Sequence, residues 1–378
     1  MTPAPGFIFT ILSFLVVIGP LVFIHEMGHY WVGRWFGVHA EAFSIGFGPE
    51  VAHWTDKRGT RWRIGGLPLG GYVRFAGDMG VASEPDPKWL ELPADLRNRC
   101  FHVKPVWQRA LIVLAGPAVN LIFAALILAG FAIAYGENVT PAQVRAVLPN
   151  SAAAAAGLRP GDRILSFDRA AVADFGDLAR SVALHQPGDQ VDMIVERGGG
   201  QIAIPIKIGE RIEKDRFGNS FHIAQIGVAP VATVVRKVGL IEAPVVGLKR
   251  TGDLIVMTWD RLSKIATGRV SVKELGGPLK TAQMSGEYAV LGPEALILFV
   301  ALVSINLGFI NLLPIPMLDG GHLFFYGIEA IQRRPVSPRV QELAFRSGLA
   351  LLLGLMVLVT INDLGSFGLW RGLSRLIG

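Results

Sequence analysis

Four stretches of the chain are apolar enough, and long enough, to cross the roughly 30 Å of hydrocarbon in a bilayer. They cover residues of about 7–31, 107–135, 293–315 and 345–361, and the last of them is short. The pattern therefore predicts a polytopic α-helical membrane protein with four transmembrane helices. The long polar segment between the second and third stretches predicts an inserted extracytoplasmic α+β domain.

The charges that flank these stretches predict their orientation. Eleven Lys and Arg residues lie from Arg34 to Arg109, between the first and second stretches, and four Arg residues lie between the third and fourth. By the positive-inside rule, both connections face the cytoplasm. The middle segment, about 136–292, and both termini then lie on the outer side, which is the periplasm in a Gram-negative bacterium.

The first cytoplasmic connection carries a strand pattern. Residues 59–75 predict a strand, a turn and a second strand, with the glycine-rich centre at 65–71 as the turn. A solvated hairpin fits this pattern, and so does a loop that dips back toward the membrane with its backbone paired. An unpaired hairpin edge accepts an extended peptide as an added strand. Gly70, Gly71 and Tyr72 are therefore candidate substrate-binding residues of a membrane-associated β-hairpin.

The outer segment opens with a compact domain over about 139–209. The pattern predicts strands at 144–147 and 163–167, a helix around 175–184, and strands near 191–195 and 202–206. A turn of small residues that ends in Gly161 and Asp162 separates the first two strands. This order resembles a circularly permuted PDZ domain of the bacterial type, which binds peptide ends by strand addition. A steric spacer is the alternative interpretation.

A helical pattern follows at 251–266, where apolar residues recur at helical spacing with basic residues close by. Two interpretations remain open for it. It is either an amphipathic helix at the membrane surface or a helix of a soluble core.

Composition supports the membrane assignment. Hydrophobic residues make up 51% of the 378 positions and charged residues only 17%, and the mean hydropathy is +0.44. The net charge of +6 comes without a basic run of the kind that binds nucleic acid, so membrane lipid is the expected partner and nucleic acid is not. The single cysteine, Cys100, excludes an intramolecular disulfide and a cysteine-rich zinc site. Residues 1–6 contain no Lys or Arg, so we expect the first apolar stretch to stay as a membrane helix.

The first stretch contains the most informative motif, His25-Glu26-Met27-Gly28-His29. In a helix, the two histidines stand four residues apart and share one face, as two ligands of a tetrahedral Zn²⁺ do. Glu26 then lies beside the metal, where it accepts a proton from water. A charge near the centre of a membrane helix costs roughly 2.5–3.5 kcal/mol on insertion scales, so a function is expected to offset this cost. The alternative, that these residues anchor the helix near the interface, explains a single histidine better than all three residues.

The third stretch ends in polar residues and prolines that break a membrane helix and are typical of sites at depth. Because this stretch runs from outside to inside, its Asp319 lies toward the cytoplasmic face, at a depth comparable with His25 and His29. Asp319 is the expected third ligand, with the fourth position left for water. A helix-end cap at the interface is the alternative role for this carboxylate.

With these residues, the chain resembles the intramembrane zinc metalloproteases of the site-2 protease family, in the RseP-type bacterial branch. The resemblance rests on six segments that extend over nearly the whole chain: 25–29, 43–49, 68–73, 115–120, 277–278 and 311–322. It implies that His25, His29 and Asp319 bind zinc and that Glu26 is the general base.

The same resemblance implies the substrate contacts. Asn311, with Pro314 and Pro316, belongs to the substrate-holding site, and the hairpin at Gly70, Gly71 and Tyr72 pairs with an unwound substrate helix. The PDZ region is implied to filter substrates by size. Well-known members of this branch carry two tandem PDZ domains, whereas the outer segment here has room for one plus the segment that extends to Gly292.

The whole chain is predicted to be organised in eight segments. They are the first transmembrane helix (1–36), the hairpin region (37–106), the second transmembrane helix (107–135), a periplasmic PDZ domain (136–210), a post-PDZ region with the amphipathic helix (211–292), the third transmembrane helix (293–322), a cytoplasmic loop (323–344) and the fourth transmembrane helix with the C-terminus (345–378). The expected location is a bacterial inner membrane, with the active site near the cytoplasmic side.

The expected activity is hydrolysis of peptide bonds in or near the membrane span of single-span proteins. Such substrates include proteins of the anti-sigma factor type and remnant signal peptides, cut in regulated intramembrane proteolysis. Two other classes compete with this hypothesis. A zinc-dependent transporter also places polar residues at depth, but four spans without an internal repeat argue against it. A catalytically silent PDZ scaffold would tolerate loss of Glu26.

Overall fold

The computed structural model describes residues 5–78, 93–214, 220–267 and 276–366. Its helices are α1 Phe7–Trp35, α2 Ala94–Arg97, α3 Val106–Tyr135, α4 Ala152–Ala155, α5 Phe175–Ala183, α6 Ala243–Ala266, α7 Pro278–Val290, α8 Pro293–Asn311, α9 Asp319–Gln332 and α10 Pro338–Ser366. Its strands are β1 Ala40–Thr55, β2 Arg61–Phe75, β3 Glu137–Val139, β4 Val144–Val147, β5 Arg163–Phe167, β6 Ala170–Ala171, β7 Gln190–Arg197, β8 Gly200–Lys207, β9 Gly209–Lys214, β10 Ser220–Gln225, β11 Val228–Pro230 and β12 Val234–Arg236.

Four of these helices are long and apolar enough to span a membrane. They contain the candidate spans Phe7–Trp35, Val106–Tyr135, Pro293–Asn311 and Arg339–Leu364. The four predicted spans are thus confirmed as helices of the right length and composition. The helix of the fourth span, α10, begins at Pro338 rather than near residue 345. The short apolar stretch predicted at 345–361 is therefore part of a longer helix.

The third membrane span is shorter than predicted. Its helix, α8, ends at Asn311 rather than near residue 315. Pro314 and Pro316 in the connection lack the N–H groups that would continue the helix. A new helix, α9, begins at Asp319. Asp319 is therefore held at a helix start and not on the end of the third span.

The β1–β2 hairpin turns at residues 56–60, so the prediction of a turn at 65–71 is wrong. Residues 50–55 pair with 61–65, whereas residues 40–45 pair with 71–75. Residues 42–45 also pair with 61–64 on their other side. The glycine-rich centre is therefore a bend at which β2 leaves one partner segment and reaches another. Among the described residues, segment 71–75 pairs on one side only and forms an outer edge of this sheet.

Aromatic packing fixes the sheet to α1. Phe43 is fully buried, with its ring centroid 5.9 Å from that of Tyr30 on α1 and 4.5 Å from that of Trp62 on β2. Phe75 packs so closely on α1 that a Cβ added at Gly33 would lie 2.5 Å from the Phe75 ring. Both ends of β2 are thereby held against the helix that carries the two motif histidines.

The helix predicted at 251–266 begins earlier, at Ala243. Leu254 and Ile255 on this helix pack against a cluster that includes the buried Ala301 and Ile305 of α8. Part of the apolar side of α6 is therefore covered by membrane-spanning helices. Other apolar side chains of α6, such as Trp259, are more than half exposed.

The chain divides into two compact units, residues Met1–Gly130 with Pro244–Gly378, and residues Phe131–Ala243. The second unit contains a four-stranded antiparallel sheet in the order β6-β5-β7-β8. Alternating residues of β7 are buried in its core, as in a sheet with one covered face. The strands and helix predicted between residues 144 and 206 are confirmed, with their ends within two residues of the predicted ones.

Asp162 holds the turn that connects the first two predicted strands of this unit. Its carboxylate is 1% exposed and accepts two hydrogen bonds from the Arg197 guanidinium, each of 2.7 Å, and one of 2.8 Å from the Arg159 backbone N–H. The Arg197 hydrogen bonds hold the pKa of the Asp162 carboxyl below its ordinary value, despite the opposing effect of burial. The ionised carboxylate therefore ties the turn to strand β7.

We predict that Asp162→Asn loosens this unit. The variant loses a charge-assisted bidentate pair, so the amides of β5 and β7 should exchange hydrogen at least about ten-fold faster in the purified protein. Because the pKa is lowered in the folded state, the wild-type contribution is present at neutral pH and is lost as the pH falls below about 4, through the depressed folded value. Hydrogen-exchange mass spectrometry measures both effects.

Asp192→Asn on the exposed side of β7 is the matched control, since its side chain is exposed. It should change exchange little. Equal exchange in the two variants would show that the Asp162 pair does not stabilise the turn.

Candidate metal centre

Three side chains from two distant segments meet at one point. His25 Nε2 lies 3.2 Å from Asp319 Oδ2, and His29 Nε2 lies 3.5 Å from Asp319 Oδ1. The two Nε2 atoms are 3.3 Å apart. In the part of the chain that the structure describes, no other group of His, Cys, Asp and Glu side chains has this geometry. The predicted proximity of Asp319 to the motif histidines is therefore observed.

These separations fit one tetrahedral zinc ion. Zinc bonds to histidine nitrogen and carboxylate oxygen are about 2.0–2.1 Å long, and at tetrahedral angles this separates two ligand atoms by about 3.3 Å. The observed separations lie on both sides of that value. The two histidine–carboxylate distances end on different oxygens of Asp319, and one ligand atom from each side chain lies within 4.8 Å of the others. The three side chains can therefore fill three of the four positions, with the fourth left for water.

The imidazole of His29 is oriented by helix α3. Its Nδ1–H donates to the backbone carbonyl of Ile112, at 2.9 Å. In the neutral imidazole, this hydrogen bond places the proton on Nδ1 and leaves the Nε2 lone pair, which faces Asp319, free to bind a metal. Metal-binding histidines commonly donate their second N–H in this way, which fixes both the tautomer and the ring plane.

His25 faces a buried amide with an unsatisfied oxygen. Asn120 on α3 is fully buried, and its Nδ2 lies 3.2 Å from His25 Nδ1, while its Oδ1 has no partner among the described residues. A buried amide oxygen without a partner is costly. If His25 binds a metal through Nε2, its Nδ1 carries a proton, and a half-turn of the amide lets Oδ1 accept it. The orphaned oxygen thus fits a metal-bound His25.

Helices α1 and α3 approach so closely that two positions between them have no room for a side chain. A Cβ at Gly28 would lie 2.5 Å from the carbonyl oxygen of Ala115, and a Cβ at Gly116 would lie 2.2 Å from His29 Nε2. Real Cβ atoms do not approach other atoms this closely. Glycine at both positions is therefore required for the two helices to enclose the site.

Glu26 lies beside the histidines and against the sheet edge. It is 7% exposed, and a Cβ added at Gly71 would lie 2.9 Å from Glu26 Cγ. The same Cβ would lie 2.6 Å from the backbone oxygen of Ser44. Gly71 therefore lets the edge segment 71–75 run directly past the carboxylate.

A cavity of about 470 Å³ connects these features, which is a size typical of ligand sites. Most residues predicted for the site line it, namely His25, Glu26, His29, Gly70, Gly71, Tyr72, Asn311 and Asp319. Pro314 and Pro316 do not line it. Pro316 instead packs against α10, where a Cβ at Gly348 would lie 2.6 Å from its Cβ.

His322 also lines the cavity, one turn after Asp319. Its ring centroid lies 5.0 Å from that of Phe345. No hydrogen bond joins His322 to Asp319 among the described side chains. Its observed contacts are those of a packing residue.

Sequence reasoning missed the contribution of α3. The segment 115–120 was used only for the family resemblance, yet it contains Gly116 and Asn120, which contact His29 and His25. The only signal was a Gly-Pro pair and an Asn inside an otherwise apolar helix. The role of Ile112 had no signal, because its backbone carbonyl makes the hydrogen bond.

Known proteins resemble this chain along almost its full length. A candidate zinc metalloprotease of Agrobacterium fabrum is 43% identical over 361 residues, which cover 94% of this chain and 96% of that protein. The metalloprotease MmpA of Caulobacter vibrioides is 36% identical over 400 residues, with 97% and 98% covered. Among solved structures, the PDZ domain of an SdrC-like protein from Listeria monocytogenes is 22% identical, with a TM-score of 0.19, and covers 25% of this chain and 87% of that domain.

The sequence model of peptidase family M50 matches residues 13–355. This range includes His25, His29 and Asp319. Both relatives are more than 30% identical to the chain, and the alignments cover nearly all of each protein. The chain therefore belongs to peptidase family M50, the site-2 protease family of zinc metalloendopeptidases.

Proposed function

We propose that this protease cleaves peptide bonds within or near the transmembrane segments of single-span membrane proteins. The observation that carries the proposal is the convergence of His25, His29 and Asp319, with ligand atoms within 4.8 Å of one another, among apolar helices of membrane-spanning length. A site built from a membrane-length helix suits a substrate that is itself in the membrane. His25, His29 and Asp319 are the proposed zinc ligands.

Zinc supplies Lewis acidity to a water molecule and to the scissile carbonyl. Glu26 is the proposed general base, because it is the carboxylate that lines the cavity beside the ligands without belonging to the ligand group. It accepts a proton from the attacking water and returns it to the leaving amine. The tight packing of Gly71 on Glu26 limits where this carboxylate can move.

The outer edge of the sheet, residues 71–75, is the proposed substrate clamp. A helical peptide bond is shielded by its own hydrogen bonds, so the substrate must be extended before water can attack it. Segment 71–75 pairs on one side only within the described residues, and Gly71 and Tyr72 line the cavity. Strand addition there would hold the unwound substrate beside Glu26.

Asn311 is proposed to bind the extended substrate from helix α8. It is the last residue of α8 and lines the same cavity as Tyr72. Its amide offers both a donor and an acceptor to a peptide backbone. Pro314 and Pro316 contribute indirectly, because they end α8 and allow Asp319 to start α9.

The remaining assignments extend this proposal. The second compact unit has the element order expected of a circularly permuted PDZ domain, and we place it in the periplasm, where it would filter substrates by size. The active site then lies toward the cytoplasmic side of a bacterial inner membrane. The proposed substrates are proteins of the anti-sigma factor type and remnant signal peptides.

Glu26→Gln should abolish most cleavage while zinc is retained. The amide keeps the shape of the side chain but does not accept the proton, so the rate should fall by roughly 10²–10⁴-fold. The measurement is cleavage of a model single-span substrate by purified protein, with bound zinc quantified in the same samples. His25→Ala is the contrasting variant and should lose zinc. Full activity of Glu26→Gln would rule out Glu26 as the base.

Asn311→Ala should slow cleavage by about ten-fold or more without removing zinc, since it deletes a substrate hydrogen bond and no ligand. Asn306→Ala is the matched control, because Asn306 lies on the same helix and is exposed. Retained activity in Asn311→Ala would refute its role. Slowing of both variants alike would point to a general effect on α8.

Gly116→Ala should lower zinc affinity by about ten-fold or more, because the new methyl group displaces the His29 imidazole. Gly130→Ala on the same helix has no atom within 4 Å of the added Cβ and should bind zinc as the wild type does. Competition with a metal chelator measures the affinity. Unchanged affinity in Gly116→Ala would show that α3 does not position His29.

A further inference from the structure

A second cavity, of about 460 Å³, lies at the end of α1, away from the metal centre. It is lined by Arg34, Gly37, Val38, His39, Arg58 and Arg99. We name it the basic pocket. Its lining carries three guanidinium groups and an imidazole, and no carboxylate.

Among the described residues, none of the three guanidinium groups forms an ion pair at contact distance with a carboxylate. Arg34 makes its side-chain hydrogen bond to His39 Nδ1, at 3.4 Å. The nearby carboxylate of Asp56 is occupied by other donors, namely the backbone N–H groups of Arg58 and Thr60 and the indole N–H of Trp62. Asp56 still attracts Arg34 electrostatically, but one carboxylate cannot balance three guanidinium groups, so net positive charge remains for an external anion.

The pocket is assembled from three separate parts of the chain. Arg34 lies in the last turn of α1, Arg58 in the β1–β2 turn, and Arg99 after α2. The backbone is tied together at this point, because His39 N–H donates to the Arg99 carbonyl and Ala76 N–H donates to the His39 carbonyl. Basic residues that serve only as topology signals need to lie on the same side of the membrane, but need not converge.

Exposed tryptophans place the pocket at the level of the membrane interface. Trp31 and Trp35 on the last turns of α1 are 60% and 81% exposed, and Trp107 at the start of α3 is 58% exposed. Tryptophan is enriched where a membrane helix leaves the hydrocarbon and enters the headgroup layer. A further cation lies close by, because Lys104 Nζ is 3.8 Å from the position of a Cβ on Gly37.

We propose that the basic pocket binds the phosphate group of an anionic phospholipid. Guanidinium groups bind phosphate oxygens through paired, charge-assisted hydrogen bonds, and clusters of basic residues next to a membrane helix attract anionic lipids. The volume admits a headgroup. The lipid would bridge the end of α1, the hairpin turn and the segment before α3, and so would brace the sheet whose edge lies at the active site.

The test is native mass spectrometry of the purified, detergent-solubilised full chain titrated with phosphatidylglycerol, phosphatidylcholine or inorganic phosphate. The wild type should retain one phosphatidylglycerol in preference to phosphatidylcholine. Arg34→Gln with Arg99→Gln should weaken this binding at least about ten-fold. Arg334→Gln with Arg339→Gln removes the same charge from another connection and should leave the binding unchanged.

Arg34→Lys with Arg99→Lys keeps the charge and the topology signal but loses the paired hydrogen bonds. It should also weaken binding, which keeps the test decisive if the glutamine variant does not fold. Equal weakening in the Arg334/Arg339 control, or no preference for phosphatidylglycerol, would overturn the proposal. Displacement of the lipid by inorganic phosphate at similar concentration would also overturn it, by identifying free phosphate as the ligand.

Discussion

The close contact between α1 and α3 is the constraint on which the rest of the site depends. With Gly28 against Ala115 and Gly116 against His29, the two helix backbones approach until polar groups of α3 reach the histidines. The Ile112 carbonyl and the Asn120 amide then satisfy nitrogen atoms that would otherwise be stranded among apolar side chains. Asp319 completes the set from the start of α9. Burying these polar side chains among apolar helices is costly, and the hydrogen bonds from α3 offset part of that cost.

Much of this site was predictable because its signals are local or follow from topology. His25 and His29 share a helix face by spacing alone, and Asp319 follows from the direction of the third span. The tetrahedral separations agree with both inferences. Four membrane-length helices were predictable as well, since a bilayer demands long uninterrupted apolar runs.

The features that were not predictable depend on pairing between distant residues. The composition of the glycine-rich centre at 65–71 predicts a turn, yet this segment is a bend inside β2. The chain continues as a strand beyond the bend because segment 71–75 pairs with residues 40–45. The end of α8 at Asn311 precedes the two prolines, and the start of a new helix at Asp319 was not predicted. Asn120 stands out in the sequence only as a polar residue in an apolar helix, and its partner His25 lies 95 residues away.

The contact between Gly71 and Glu26 joins two tasks that many hydrolases keep on separate parts of the protein. The edge that is proposed to receive the substrate backbone lies against the proposed proton-transfer group, and no side chain fits between them. A side chain at position 71 would displace the Ser44 carbonyl or the Glu26 side chain, so recognition of substrate side chains cannot be built from this position without disturbing the site. Diversification is left to flanking side chains such as Phe47 and Tyr72, which stack on each other at the cavity wall.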